Sequence, residues 1–200
     1  MLVIGLTGPT GSGKSSVSEL FAAYGLPILN ADEIYHELLI PPSVCLDELA
    51  NCFGSAILEP SGTLNRRALA KIVFSSPEEL ARLNDISHRH VMNEIRLRLD
   101  HLQKQNTPCA VLDAPQLFEA GADKCCNLIV SVLADEALRL ERIMRRDGID
   151  RETALQRMRA QRSDGFFRSH SDYIIENNEG TESLLPHVHR ILSEMGVLPR

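Results

Sequence analysis

Residues 8–15 read Gly8-Pro9-Thr10-Gly11-Ser12-Gly13-Lys14-Ser15 and match the pattern G-x-x-x-x-G-K-S/T. Glycines at these spacings let a loop wrap with its backbone N–H groups turned inward. The lysine reaches anionic oxygens, and the final hydroxyl can ligate a divalent cation. The pattern gains meaning from its flanks. On its N-terminal side, residues 2–6 (LVIGL) are a continuous apolar run suited to a strand buried on both faces. On its C-terminal side, Val17, Leu20, Phe21 and Tyr24 recur at helical spacing over residues 14–24, and Gly25 stops the helix. Strand, glycine loop and helix N-terminus together make a place to hold a triphosphate. Gly11, Ser12, Gly13, Lys14, Ser15 and Ser16 are therefore the expected phosphate-binding residues, with Lys14 on the β and γ oxygens and Ser15 on Mg2+.

Outward from the loop the rhythm continues with one interruption. Residues 26–29 (LPIL) make a second apolar run closed by Asn30, Ala31 and Asp32. Over 32–105 the sequence is mostly helix-periodic, broken at Pro41-Pro42, Gly54, Pro60-Ser61-Gly62 and Pro77, and Ile57-Leu58 is the one strand candidate there. Strands resume at 109–112 and 127–133, helices are expected over 135–146 and 150–162, and a last strand at 173–175 precedes a closing helix over 181–195. Five short strands alternating with helices predict an α/β fold, a five-stranded parallel sheet flanked by helices and carrying a helical insertion. Ligands of such sheets bind beyond the carboxyl ends of the strands, here Thr7–Gly8, Asn30–Asp32, Asp113, the residues after Leu133, and Glu176–Asn178.

Composition narrows the chemistry. Two hundred residues with 44% hydrophobic and 24% charged side chains suit one domain, or one domain with a small insertion. A net charge of −6 and only 4% aromatics argue against nucleic acid as the main partner. The cysteines at 45, 52, 109, 125 and 126 contain no C-x-x-C pair, which fits neither a disulfide framework nor a zinc ribbon and favours a reducing, cytoplasmic compartment. The opening MLVIGLTGP reads as neither signal peptide nor anchor, and no apolar stretch approaches the ~20 residues that span a bilayer, so no membrane partner is expected.

A phosphate loop by itself serves GTPases, motor ATPases and small-molecule kinases alike. The chain has no N-K-x-D guanine-reading sequence, no D-x-x-G switch and no transporter-type signature, which leaves kinases. A kinase needs a carboxylate for the acceptor hydroxyl and positive charge around the transferring phosphoryl. Asp32, at the end of the second strand, is the candidate base; its alternative role is to cap the helix that follows. Arg142 and Arg146 are the candidate phosphate-closing cations within a run that includes Arg145, Arg151, Arg157, Arg159 and Arg162, several of which must simply face solvent. Asp113 ends its strand where a carboxylate can serve Mg2+, or it is a turn residue before Ala-Pro. Two histidine pairs, His88 with His90 and His187 with His189, have i,i+2 spacing and point to different helix faces, which speaks against metal pairs.

Nearly the whole chain resembles the dephospho-coenzyme A kinase family, phosphate-loop enzymes related to nucleoside monophosphate kinases. LTGPTGSGKSSV is similar to the family's opening loop, and NADEIYHEL to its Asp-Ala-Asp segment, with Asp32 as the second acid and His36 following. ISHRHV is similar to Ile-x-His-Pro-x-Ile/Val through His88, and DAPQLFEAG to Asp-x-Pro-Leu-Leu-Phe-Glu. The stretch from Arg142 to Gln161 resembles the family's lid and following helix, and SDYIIENNEG its Ala-Asp-Tyr/Phe-x-Ile-x-Asn segment near the adenine end, with Asn177. The departures are Asn30 for the first acid, Arg89 for proline, Arg139 where Gln is usual, and Phe167 or Arg168 where Lys is usual.

The resemblance implies a P-loop NTPase fold and transfer of the ATP γ-phosphoryl to the 3′-hydroxyl of dephospho-CoA, the last step of coenzyme A biosynthesis, with ATP and Mg2+ as cofactors. It implies that His36, His88, Leu117, Phe118 and Glu119 border the acceptor. It divides one kinase domain over 1–200 into a core (1–31, 109–136, 171–200), a helical acceptor-binding insertion (32–108) and an Arg-rich lid (137–170). Residues 139–168 hold nine arginines against five acidic residues in an otherwise acidic chain, the polarity a lid over a polyanion requires. The expected assembly is a monomer or weak homo-oligomer. The alternatives are another small-molecule or nucleoside monophosphate kinase on the same scaffold, or a nucleotide-dependent switch whose loop only senses ATP.

Overall fold

The computed structural model describes residues 1–198; positions 199–200, the end of the expected closing core segment, lie outside the described residues. The sheet has five strands, β1 (Leu2–Thr7), β2 (Ile28–Asn30), β3 (Cys109–Asp113), β4 (Leu128–Leu133) and β5 (Tyr173–Glu176), in the order β2-β3-β1-β4-β5. β1 pairs parallel with β3 on one side and β4 on the other, and β4 pairs parallel with β5. A central strand covered on both faces has no solvent side. That is why LVIGLT is apolar without alternation and buried from Val3 onward.

Nine α-helices complete the described chain: α1 (Lys14–Ala23), α2 (Ala31–Glu37), α3 (Val44–Phe53), α4 (Arg66–Val73), α5 (Pro77–Lys104), α6 (Glu136–Asp147), α7 (Arg151–Arg159), α8 (Asp164–His170) and α9 (Leu184–Glu194). They fall into two compact units, residues 1–29 with 101–200, and residues 30–100. In the first, Ile4 and Leu6 of β1 are fully buried with Val17 and Phe21 of α1, Val111, Val132, Ile175 and Ile191. In the second, Leu46, Leu49, Ile57, Leu69, Val73 and Ile86 form a separate core among helices. No described helix is long and apolar enough to cross a membrane.

Register places the chemistry within the first unit. Leu6 is opposite Asp113, Thr7 opposite Ser131, and Leu133 opposite Glu176. The carboxyl ends of β1, β3, β4 and β5 therefore lie side by side, and the loop that leaves β1 starts beside Asp113.

Two local expectations differ from the structure. Ile57-Leu58 is not a strand: residues Ser55–Ile57 form a 3-10 turn, and Leu58 makes only a single bridge to Leu64 across a tight turn at Gly62. The helix expected over 150–162 ends at Arg159, and α8 follows as a separate helix because the Ser163 hydroxyl accepts the Phe166 N–H at 3.2 Å. Gly165 in the first turn of α8 hides that helix from a propensity reading.

Burial also sets the thiols. It pushes Cys45 and Cys109 up to about 11, and raises Cys126 to about 12 with the help of neighbouring Cys125 and Asp123. Phe21, with no exposure in the centre of the first core, carries the greatest packing load on α1. Phe21→Ala is expected to remove about 3–5 kcal/mol of unfolding free energy, measured as a lower urea midpoint for the transition that reports the sheet.

Candidate active site

Gly8–Ser15 connects β1 to α1 with no capping side chain at the helix start; Gly13 occupies the N-cap position in the left-handed region, φ +89°. No side chain caps the first-turn N–H groups of α1, of which that of Ser16 bonds the Gly13 carbonyl at 3.1 Å, and with the helix dipole this helix start is electropositive. Glycine is required there for space as well as for φ. A Cβ on Gly13 would lie 2.0 Å from Asn177 Nδ2, and one on Gly11 2.7 Å from the carbonyl oxygen of Arg139. Ser12 is buried beneath the loop, Ser16 is half-buried, and Ser15 stands exposed at the helix start.

The Lys14 ammonium donates to Oδ1 of Asp113, whose side chain is 3% exposed. The pairing follows from register, since Asp113 ends β3 opposite Leu6, just before the loop begins. Asp113 is thus more than a turn residue: it holds the loop lysine at the sheet's carboxyl edge.

One face of α6 lies against the loop. Arg139, Arg142 and Arg146 recur at i, i+3 and i+7, the spacing that puts side chains on one side of a helix. The buried Arg139 donates through Nε to the Thr10 carbonyl at 3.1 Å and through Nη1 to Asp164 at 2.9 Å. Arg142 donates to the carbonyls of Gly11 at 3.3 Å and Asn177 at 3.1 Å. Arg146 bonds Asp147 and reaches Thr10 Oγ1 at 3.5 Å; its guanidinium, with Arg157 close by, holds the Asp147 carboxyl below the usual range. Arg145 is exposed and points away from the loop face. Asn177, 4% exposed, donates to the Ser12 carbonyl at 2.8 Å. Two buried polar atoms at this place, Ser12 Oγ and Asn177 Oδ1, have no partner among the described residues.

Beyond β3, Leu117 has no exposure: its Cδ2 lies 3.0 Å from where a Cβ on Gly5 would be. This corrects the expectation that Leu117 borders the acceptor, because a side chain wedged under the central strand has no surface to offer a ligand. Phe118 meets Phe166 edge-on with centroids 5.1 Å apart, and Glu119 accepts from Arg162 at 3.1 Å. These contacts tie the segment after β3 to α8.

The remaining candidates belong to the helical unit. Asp32 and His36 lie exposed on α2, and the half-buried His88 lies on α5. Asp32 does not cap its own helix. Asn30 does so, with Oδ1 accepting the N–H of Asp32 at 3.0 Å and of Glu33 at 3.2 Å. An amide at position 30 performs this as well as a carboxylate would, so the departure from the resembled pattern leaves the helix start intact. The second departure is equally explicable. Arg89 lies mid-way in the continuous 28-residue α5 and bonds Glu48 of α3 at 2.6 Å. Arg89 and then His90 hold the Glu48 carboxyl below the usual carboxylate range. Of the last two substituted positions, Phe167 is buried and Arg168 is exposed and pairs with Glu176.

Arg139 is the residue sequence reasoning undervalued. Its position four before the buried Ile143 marks it as inward-facing, but its partners, Thr10 and Asp164, are not neighbours in sequence.

With this geometry in place, comparison with known proteins is direct. The family model described as dephospho-CoA kinase matches residues 2–183. A dephospho-CoA kinase of Corynebacterium efficiens is 37% identical over 195 residues, covering 98% of each chain. One from Fusobacterium nucleatum is 37% identical over 190 residues, covering 95% of this chain and 96% of the relative. Among solved structures, a Thermus thermophilus protein superposes with a TM-score of 0.81 at 34% identity over 97% of both chains. A shikimate kinase from Acinetobacter baumannii shares the fold, with a TM-score of 0.56 at 19% identity over 98% of this chain and 93% of its own.

The loop geometry predicts a clean separation of space from strain. Gly13→Ala, forced against Asn177, is expected to lower turnover at least about 100-fold through lost nucleotide binding. Gly25→Ala carries a similar positive φ of +83° but meets nothing within 4 Å; it loses about 1 kcal/mol of stability and keeps its turnover. Side-by-side kinetics and melting curves of the two variants check this.

Proposed function

The chain belongs to the dephospho-CoA kinase family, and from that membership we propose how its residues divide the transfer of the ATP γ-phosphoryl to the 3′-hydroxyl of dephospho-CoA, giving CoA and ADP. The observation that carries the residue assignment is the Lys14–Asp113 pair set beside the uncapped start of α1. A fixed cation beside a glycine loop and a helix start without a side-chain cap forms a site for the β and γ phosphates.

The residues fit a magnesium ion. Ser15 offers a hydroxyl and Asp113 a carboxylate, both hard oxygen donors, and no cluster of three or more His, Cys, Asp or Glu able to hold a metal exists among the described residues. This matches an ion that takes few protein ligands and completes its shell with water and phosphate. When bound, Mg2+ supplies charge neutralisation across the β and γ oxygens. The partnerless Ser12 Oγ and Asn177 Oδ1 support a polar ligand at the loop.

This chain's own groups do the rest. The loop amides and Lys14 hold the phosphates, which leaves the γ-phosphoryl as the end presented to the acceptor. Asp32, exposed and without an ion pair among the described residues, orients the 3′-hydroxyl and takes its proton as the O–P bond forms. Arg142 acts on the loop through its carbonyls, whereas Arg146, 62% exposed at the side chain, has the freedom to turn from Asp147 toward phosphate. His36, His88, Phe118 and Glu119 serve the acceptor. The five thiols, unpaired with one another, support a reducing, cytoplasmic setting.

Coupled ADP detection with dephospho-CoA, AMP and a simple sugar as acceptors tests the reaction. Turnover is expected with dephospho-CoA, with a product heavier by one phosphate; turnover on AMP or the sugar alone would sink it. Asp32→Ala should lower kcat by about 10²–10⁴-fold with ATP affinity retained, and wild-type turnover in that variant removes the base assignment. Chelation with EDTA should abolish transfer and added Mg2+ restore it; unchanged activity after chelation argues against the metal.

A further inference from the structure

Thr10, the third residue of the phosphate loop, is bonded on both sides of its backbone to the Arg-rich segment. Its N–H donates to Gln161 Oε1 at 2.9 Å, and its C=O accepts from Arg139 Nε at 3.1 Å. Gln161 lies between α7 and α8, two residues after the last turn of α7, and Arg139 is bonded in turn to Asp164, the first residue of α8. The loop, α6 and the α7–α8 connection thus meet on the backbone of one residue, Thr10, through its two flanking peptide groups.

A loop rich in glycine samples many backbone states, and one geometry presents its amides to phosphate. The carbonyls that face away from the phosphate side must be satisfied for that geometry to persist, and Arg139, Arg142 and Asn177 do this at Thr10, Gly11 and Ser12. The Thr10 N–H is different, because an amide of this loop is a donor that ligand could use, and here a side-chain carbonyl 151 residues away engages it. Gln161 is exposed, and among the described residues its side chain reaches the loop through this contact.

We propose that Gln161 is a positioning residue for the phosphate loop: its amide oxygen fixes Thr10 N–H, and with Arg139 on the opposite carbonyl it pre-sets the loop for the ATP phosphates. This rests on the reading of Gly8–Ser15 as the ATP site. It makes the residues after α7 part of the donor-nucleotide site, although Gln161 carries no charge and touches no reacting atom. A glutamine suits the task because it accepts without adding negative charge beside a triphosphate. The preorganisation it provides appears as nucleotide affinity rather than as the rate of the chemical step.

The test uses the full-length protein and two replacements. Gln161→Met keeps the length of the side chain and removes the acceptor; Gln161→Glu keeps an acceptor oxygen. In the nucleotide-free protein, amide exchange at Thr10 followed by NMR should be about five-fold faster in Gln161→Met, the worth of one net hydrogen bond, and at the wild-type rate in Gln161→Glu. Calorimetric ATP affinity should fall by the same factor, about five-fold, in Gln161→Met, with kcat unchanged and the melting temperature lowered by no more than about 2–4 °C. Unaltered Thr10 exchange in Gln161→Met overturns the assignment, and so does faster exchange with unaltered ATP affinity. Neither measurement needs an acceptor, so failure here is distinct from failure to phosphorylate dephospho-CoA.

Discussion

Between β1 and α1 the backbone passes so close to its surroundings that hydrogen is the largest substituent the loop tolerates at Gly11 and Gly13. The walls are the Arg139 backbone on one side and the Asn177 carboxamide on the other. These walls belong to α6 and to the residue after β5, which the register of the parallel sheet delivers to the same edge as β1. The loop therefore cannot take its shape alone. It depends on the strand order, in which the largely apolar and mostly buried strands β1, β3 and β4 hold the centre of the sheet.

Charge is handled within the same confinement. Asp113 has almost no exposure, and a carboxylate in that position persists because the Lys14 ammonium is bonded to it. Removing one partner of such a pair leaves the other buried and uncompensated, which is more harmful than losing the pair's own modest net contribution. The pair thus has two physical consequences. It stabilises a charge at the end of β3, and it holds the loop lysine at the sheet's carboxyl edge. The arginines of α6 follow a different logic. Arg139 and Arg142 are consumed largely by carbonyls and an internal carboxylate, while Arg146 stays mostly exposed. An arginine-rich stretch that looks uniform along the chain is divided by helix geometry into braces, Arg139 and Arg142, and exposed cations, Arg145 and Arg146.

The helical unit shows how departures from a pattern are absorbed by local chemistry. Asn30 caps α2 through its side-chain oxygen, a function for which charge is unnecessary. Arg89, placed where proline would interrupt backbone bonding, continues α5 and bonds Glu48 across to α3. Both residues leave Asp32 and His88 on helices that begin and run without a break.

Much of the fold and part of the site are legible in the amino-acid order. Apolar runs of three to seven residues, a glycine loop before a helical stripe, and Pro and Gly breaks are local signals, and they locate all five strands and the phosphate loop. Lys14, Ser15 and Asp32 are nominated by the same local reading, and the structure sets Lys14 against Asp113. Local signals mislead where a short turn competes, as at Ile57-Leu58, and where a capped helix contains glycine, as at Ser163–Gly165. Long-range decisions are of another kind. Leu117 belongs to the core because it packs under Gly5, Arg139 is buried because Thr10 and Asp164 receive it, and Asn177 braces the loop from 165 residues away. The sequence by itself determined which segments form strands and where the glycine loop stands, because backbone freedom and apolar periodicity are properties of neighbouring residues. Only the tertiary structure decided which side chains face the ligand and which hold the loop, because hydrogen-bond partners and free space are set by segments that meet only after the sheet has formed.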